Sequence, residues 1–288
     1  MDFPAYKLRD WISLKKLDWD FLCDNPRAIF LLEQNMKHIN WQRICANPNA
    51  IGLIEKNPGK IAWDYLSKNP SAIHILKRNK KKIHWSALSK NPSAISLIEK
   101  NIKRVDWLYL SSNPAAIHLL KANLTKVDWY FILSNPAAID MISNIINHSN
   151  PYLTLDDSWN INLIYNFLCY NENAIPLISN NLDKISWSSL STNPNAMELL
   201  LDNMDKISWP ALSLNPAGIH LLEENKDKID WINISRNPEI FVLDCAELKK
   251  HPRPFVEELM MKCYHPQRLE RYLLIYKYDI GSDTYEIN

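Results

Sequence analysis

The sequence predicts an all-α fold: an α-solenoid of ten 22-residue repeats, each built from two short helices, with helical caps at both ends. Three observations predict it. Tryptophan recurs every 22 residues at Trp19, Trp41, Trp63, Trp85, Trp107 and Trp129, then at Trp187, Trp209 and Trp231, with Tyr165 filling the same slot 22 residues before Trp187. An Asn-Pro pair follows each Trp, from Asn25-Pro26 to Asn237-Pro238, and becomes Asn171-Glu172 in the Tyr165 unit. Behind each pair comes Ala-Ile-x-Leu-Leu or a close variant, which is helical spacing.

The elements follow in chain order. Residues 1–18 form the N-terminal cap, in which Leu8, Trp11, Ile12 and Leu14 suggest a helix. Residues 19–142 hold repeats one to six. Within each, the first helix starts at the Trp, with Asp18, Asn40, Asp106, Asp128, Ser186, Ser208 or Asp230 in the capping position before it. The apolar residue one place further back (Leu17, Ile39, Val105, Val127, Ile185, Ile207, Ile229) pairs with the Leu that follows the Trp, as a hydrophobic staple does. The Asn-Pro pair opens the second helix: Asn supplies a capping oxygen, and Pro lacks only a donor that would have no partner there. That helix stops near Asn35 and its equivalents, a residue type tolerated in the left-handed conformation. The Trp column reads as core, between an Ile before it and a Leu after it. Helices of about six and nine residues do not persist alone, so they require stacking, and the recurring Ala28, Ala50, Ala72, Ala94 and Ala116 allow close approach. Residues 143–164 are an insertion expected to bulge outward. Residues 165–240 are repeats seven to ten, and 241–288 a C-terminal cap with helices at Pro254–Cys263 and Pro266–Tyr278. A leucine-rich repeat is the rival period, but Asp20, Gln42, Asp64 or Ser86 stands where its strand needs an apolar residue.

Composition narrows the function classes. Apolar content of 47% excludes general disorder, and four glycines leave no room for most Gly-rich phosphate loops. A net charge of +1 implies no global attraction to nucleic acid or membrane. No stretch approaches a membrane span, and the opening residues lack a signal-peptide pattern. Five cysteines lie at no metal-ligand spacing; Cys23, Cys45 and Cys169 take a slot that elsewhere holds Ser, a small-residue role. An intracellular, non-secreted protein is expected.

The whole chain resembles a family of uncharacterised tandem-repeat proteins of giant DNA viruses. The matching residues are Lys7-Leu8-Arg9-Asp10-Trp11-Ile12, Leu17-Asp18-Trp19, the repeated Asn-Pro-x-Ala-Ile-x-Leu-Leu, and the tail His265-Pro266-Gln267-Arg268 with Arg271-Tyr272-Leu273. The resemblance implies a viral origin, with host cytoplasm or virion as the location, and supplies no biochemical activity.

No catalytic constellation, metal motif or cofactor site emerges, so the expectation is a non-enzymatic scaffold for a protein partner. Variable positions would read that partner: Phe30, His74, His118, Glu198 and His220 in one slot, Gln34, Arg78 and Lys100 in another. Metal binding at His74, His118 and His220 is disfavoured because adjacent repeats carry no histidine there. Charge suggests two alternatives. Lys77 to Lys126 contains eleven Lys/Arg, among them Lys77, Arg78, Lys81, Lys82, Lys100, Lys103, Arg104 and Lys126, against Glu99 and Asp106. Asp183 to Asp230 contains eight Asp/Glu against four Lys. An elongated, dipolar rod would result, open to nucleic acid or another polyanion at its basic segment; a structural virion component is the other alternative. A further cationic column stands three residues before each Trp, at His38, Lys60, Lys82, Arg104, Lys126, Lys184, Lys206 and Lys228, where Lys favours a loop and pairs weakly with the capping Asp.

Overall fold

The computed structural model describes residues 6–146 and 161–244. Chain contacts separate a unit of Leu8–Val242 from one made of Met1–Lys7 and Leu243–Asn288, and all ten repeats lie in the first. The third repeat shows their common anatomy. Its Trp-headed helix spans Trp63–Lys68. A 3₁₀ turn over Pro70–Ala72 runs directly into the Ile-headed helix Ile73–Arg78, and a second 3₁₀ turn covers Lys80–Lys82 before the next Trp. The repeated helices pack consecutively as an all-α solenoid.

The core is aliphatic. Leu22, Leu66, Leu88, Leu110, Leu190 and Leu212 from the Trp-headed helices are fully buried, as are Leu32, Leu76, Ile98, Leu120 and Leu222 from the Ile-headed ones. Alanine between them admits close approach: Ala28, Ala50, Ala72, Ala94 and Ala116 have 0% exposure. The staple residues Leu17, Ile39, Ile83, Val127 and Ile207 close that core from the preceding turn. Capping follows the sequence reading, with Asp128 Oδ1 accepting from the amides of Tyr130 and Phe131 at 3.1 and 2.9 Å.

Asparagine at the Asn-Pro position binds the repeats together. In all ten, the side-chain amide donates two hydrogen bonds of 2.8–3.2 Å to backbone carbonyls of the preceding repeat. The same side chain's oxygen accepts from the amide two residues on, at 2.9–3.0 Å. The sequence identified the capping half of this role; the donating half is what joins neighbours. Every such side chain is buried with its hydrogen bonds made, as buried amides require.

This ladder has no end. Asn25, in the first repeat, donates to Ser235 O and Asn237 O in the tenth at 3.1 and 2.8 Å. Asn91 makes the same pair of bonds to Ser67 O and Asn69 O one repeat behind it. First and tenth repeats are therefore neighbours in the ordinary register, and the Leu8–Val242 unit closes into a ring. The expected elongated rod is corrected accordingly for this unit. The segment expected as an N-terminal capping helix instead contains β1 (Tyr6–Leu8) and a 3₁₀ turn at Leu14–Lys16. Its Lys16-Leu17-Asp18-Trp19 repeats the Lys126-Val127-Asp128-Trp129 pattern, so it supplies the last turn of the tenth repeat. That repeat lacks its own: Phe241 stands in the Ile slot, and the chain leaves as β2 (Phe241–Leu243), which pairs with β1. Arg9 N donates to Ile240 O at 2.9 Å, and Arg27 reaches Glu239 at 2.8 Å across the same seam. The expected C-terminal helices, Pro254–Cys263 and Pro266–Tyr278, lie outside the described residues.

Two local expectations are also revised. The nine repeat tryptophans are half-buried rather than core, each at the edge of the aliphatic layer, where Leu and Ala already fill the interior. Tyr165 alone in that slot is buried, with 6% exposure. Asn35, Asn79 and Asn225 close their helices with φ of −130°, −122° and −124°. They stay out of the left-handed region because their amides cap the helix directly, each donating to the carbonyl four residues back at 2.8–2.9 Å. At the insertion, helices Ile139–Ile146 and Ile161–Cys169 flank 147–160, which lie outside the described residues. The ladder nonetheless crosses it, from Asn171 to Leu133 O and Asn135 O, both at 2.9 Å.

Candidate interaction surface

The cationic column is part of the repeat. Lys60 lies over Trp41, Arg104 over Trp85, Lys126 over Trp107, Lys206 over Trp187 and Lys228 over Trp209, at 4.2–5.0 Å from the ring centroid. His38 stacks on Trp19 at 4.6 Å, and Lys184 covers Tyr165 at 5.5 Å. Lys16 covers Trp231 at 4.8 Å across the seam. The fixed spacing of the cation follows from this: each must reach back to the ring that opens its own repeat. Weak pairing with the capping Asp, as expected from sequence, is replaced by ring contact, which contributes about 0.5–1 kcal/mol at exposed sites.

The Ser slot is also structural. Ser111 Oγ donates to Trp107 O at 2.8 Å and accepts from Asp128 N at 2.9 Å in the next repeat. Cys23 and Cys45 substitute their sulfurs, accepting from Asn40 N and Ala62 N at 3.3 and 3.4 Å. At the seam Ser235 Oγ accepts from Asp18 N at 2.9 Å. Burial pushes the thiols of Cys23 and Cys169 up to about 11, which leaves them protonated and unreactive at neutral pH.

The sequence-predicted site residues sort into three groups. Arg104 and Lys126 belong to the ring-covering column, and Lys82 holds the same slot. Lys77, Arg78, Lys81, Lys100 and Lys103 are exposed at the end of the Ile-headed helices and on the 3₁₀ turn after them. His74 and His118 are exposed and meet Glu55 and Glu99 of the preceding repeat at 2.9 and 2.8 Å. His220 is exposed, two repeats or more from either. Among the wider variable positions Glu198, Gln34 and His220 face solvent, but Phe30 packs edge-on against Phe241 at 5.6 Å and belongs to the seam.

Sequence reasoning missed a second aromatic band, on the Trp-headed helices. Phe21 lies between Arg43 and Arg236, at 4.3 and 4.1 Å, and both guanidinium groups also bind Asp24, at 2.7 and 3.1 Å. Lys68 covers Tyr65 and Lys90 covers Tyr109, at 4.3 and 4.4 Å. Burial and the nearby Lys68 charge lower the pKa of Lys90. The signal was present two and five residues after the Trp, but it is interrupted by Ala87, Ala46 and Ala211 and so carried no strict period.

Among the described residues no group of three or more His, Cys, Asp or Glu could hold a metal ion, and no helix is long and apolar enough to cross a membrane. No family model, curated protein or solved structure matches the chain.

Proposed function

We propose that this protein is a non-enzymatic binding scaffold, a ring that presents a repeat-by-repeat variable surface to a protein partner. One observation supports this reading above others. Residues that recur in the repeat are used up internally: Asn in the ladder, Ser in the link to the next repeat, the cation on its Trp. Residues that vary, such as His118, Glu198 and His220, are exposed in the fifth, eighth and ninth copies of one slot. Repetition thus supplies a rigid frame whose outward side chains differ from copy to copy and can specify a partner. The resemblance to giant-virus repeat proteins points to an infected cell as the place to find it.

The test is affinity capture from such cells with the wild-type protein and with a His118→Ala/Glu198→Ala/His220→Ala variant of matched melting temperature. A protein recovered by the wild type and lost by the variant is expected. Equal recovery by both, or no specific protein with either, overturns the reading.

A further inference from the structure

One edge of the ring is formed by the last residues of each Ile-headed helix and the 3₁₀ turn that follows. Cations there have two different origins. The one three residues before the next Trp covers a ring at Lys60, Arg104, Lys126, Lys184, Lys206 and Lys228, the last two in an acidic stretch. The others have no such duty. In the third to fifth repeats they are Lys77, Arg78, Lys80, Lys81, Lys100, Lys103 and Lys121, all exposed. None forms an ion pair, side-chain hydrogen bond or ring contact among the described residues. The only carboxylate on this arc is Glu99, which is occupied by His118 at 2.8 Å.

A helix C-terminus favours a cation by a few tenths of a kcal/mol to about 1 kcal/mol, so the arc requires a comparison. The same slots in repeats seven to nine hold Asp183, Asp202, Asp205, Glu223, Glu224 and Asp227. The fold accepts either sign there, and helix electrostatics does not account for seven cations on three adjacent repeats. We infer that this arc binds the phosphate backbone of a nucleic acid, without reading its sequence. Lysine is depleted at protein interfaces, whose centres need apolar or aromatic anchors. The third repeat offers none between Lys77 and Lys82, where only Asn79 interrupts the cations. A phosphate chain needs only a run of accessible cations, and releases its counterions on binding. The inference rests on the scaffold reading but uses residues separate from His118, Glu198 and His220, so either can fail alone.

The experiment is fluorescence anisotropy of a labelled duplex and a labelled single strand of equal length, titrated with the full chain at several salt concentrations. Three proteins are compared: wild type, Lys77→Glu/Lys81→Glu/Lys103→Glu, and a control with the same charge change outside the arc, Lys15→Glu/Lys37→Glu/Lys56→Glu. Wild type should bind at low salt, with log affinity falling linearly in log salt by about 0.9 per phosphate contacted on duplex and about 0.7 on single strand. The arc variant should lose on the order of tenfold or more relative to the control, with a shallower salt slope and an unchanged melting temperature. Arc and control variants that bind alike, or a wild type that binds neither oligonucleotide at low salt, would overturn the assignment.

Discussion

Between the third and fourth repeats the chain runs on without a break; the tenth, next to the first, is closed by a turn from the other end of the chain. The two junctions nevertheless make the same bonds. Asn91 donates to Ser67 and Asn69, and Asn25 to Ser235 and Asn237. Ser67 receives the amide of His84, and Ser235 that of Asp18. One repeat further on, Arg104 covers Trp85 as Lys16 covers Trp231. Connectivity is therefore not what holds neighbours together; the repeated surface complementarity is. Where connectivity is missing the seam adds groups of its own, the Arg27–Glu239 pair and the Phe30–Phe241 contact.

The comparison breaks first at the ladder. Asn91→Asp and Asn25→Asp each replace a buried two-bond donor with an oxygen facing two carbonyls. An uncompensated charge of that kind costs about 3–5 kcal/mol. Equal losses in denaturant melts are expected at both positions; a loss below about 1 kcal/mol at Asn25 alone would mean that the ring is open in solution. Next come the rings. Trp107→Ala and Trp231→Ala should each destabilise by about 2–3 kcal/mol, less than the 3–5 of a fully buried aromatic site, because both are half-exposed. A clearly smaller value at Trp231 would show that Lys16 and the N-terminal turn cover it only part of the time.

The serine link comes third. Ser111→Ala and Ser235→Ala remove the acceptors of the Asp128 and Asp18 amides, and about 1–3 kcal/mol should be lost at each. The thiols sharpen this by pH. The Cys23 pKa is raised from 9.0 to about 11 by burial, so its neutral form is favoured by folding. That stability is complete below about 9 and is lost as pH rises toward 11. Melting temperature measured between pH 8 and 11 should fall less for Cys23→Ser than for the wild type. An identical fall would remove the thiol from the account. Smallest is the cation–ring contact: Lys206→Gln and Lys16→Gln should each cost about 0.5–1 kcal/mol.

Much of the frame was legible from residues alone. Period gave the count of repeats, Asn-Pro the start of one helix, and Asp128 and its equivalents the start of the other, because these signals are local and act within a few residues. Trp was misread as core because its size and apolar neighbours resemble those of a core residue; a side chain's depth depends on what the facing repeat leaves unfilled. The rim charges were visible by number, but not which of them the fold itself requires. Only contact with the Trp ring that opens the same repeat separated Arg104 and Lys126 from Lys81 and Lys103.

By itself the sequence determined the repeating unit, since helix caps, staple spacing and apolar stripes are properties of a stretch shorter than one period. It also contained both halves of the seam: Lys16-Leu17-Asp18-Trp19 in the register of a repeat's end, and Asn237-Pro238-Glu239-Ile240 in the register of a repeat's middle. Tertiary structure alone decided that the halves meet. Closure depends on the small rotation between neighbours summing to a full turn after ten copies, and that angle is set by how Ala, Leu and the ladder Asn pack across each junction. No single period carries it.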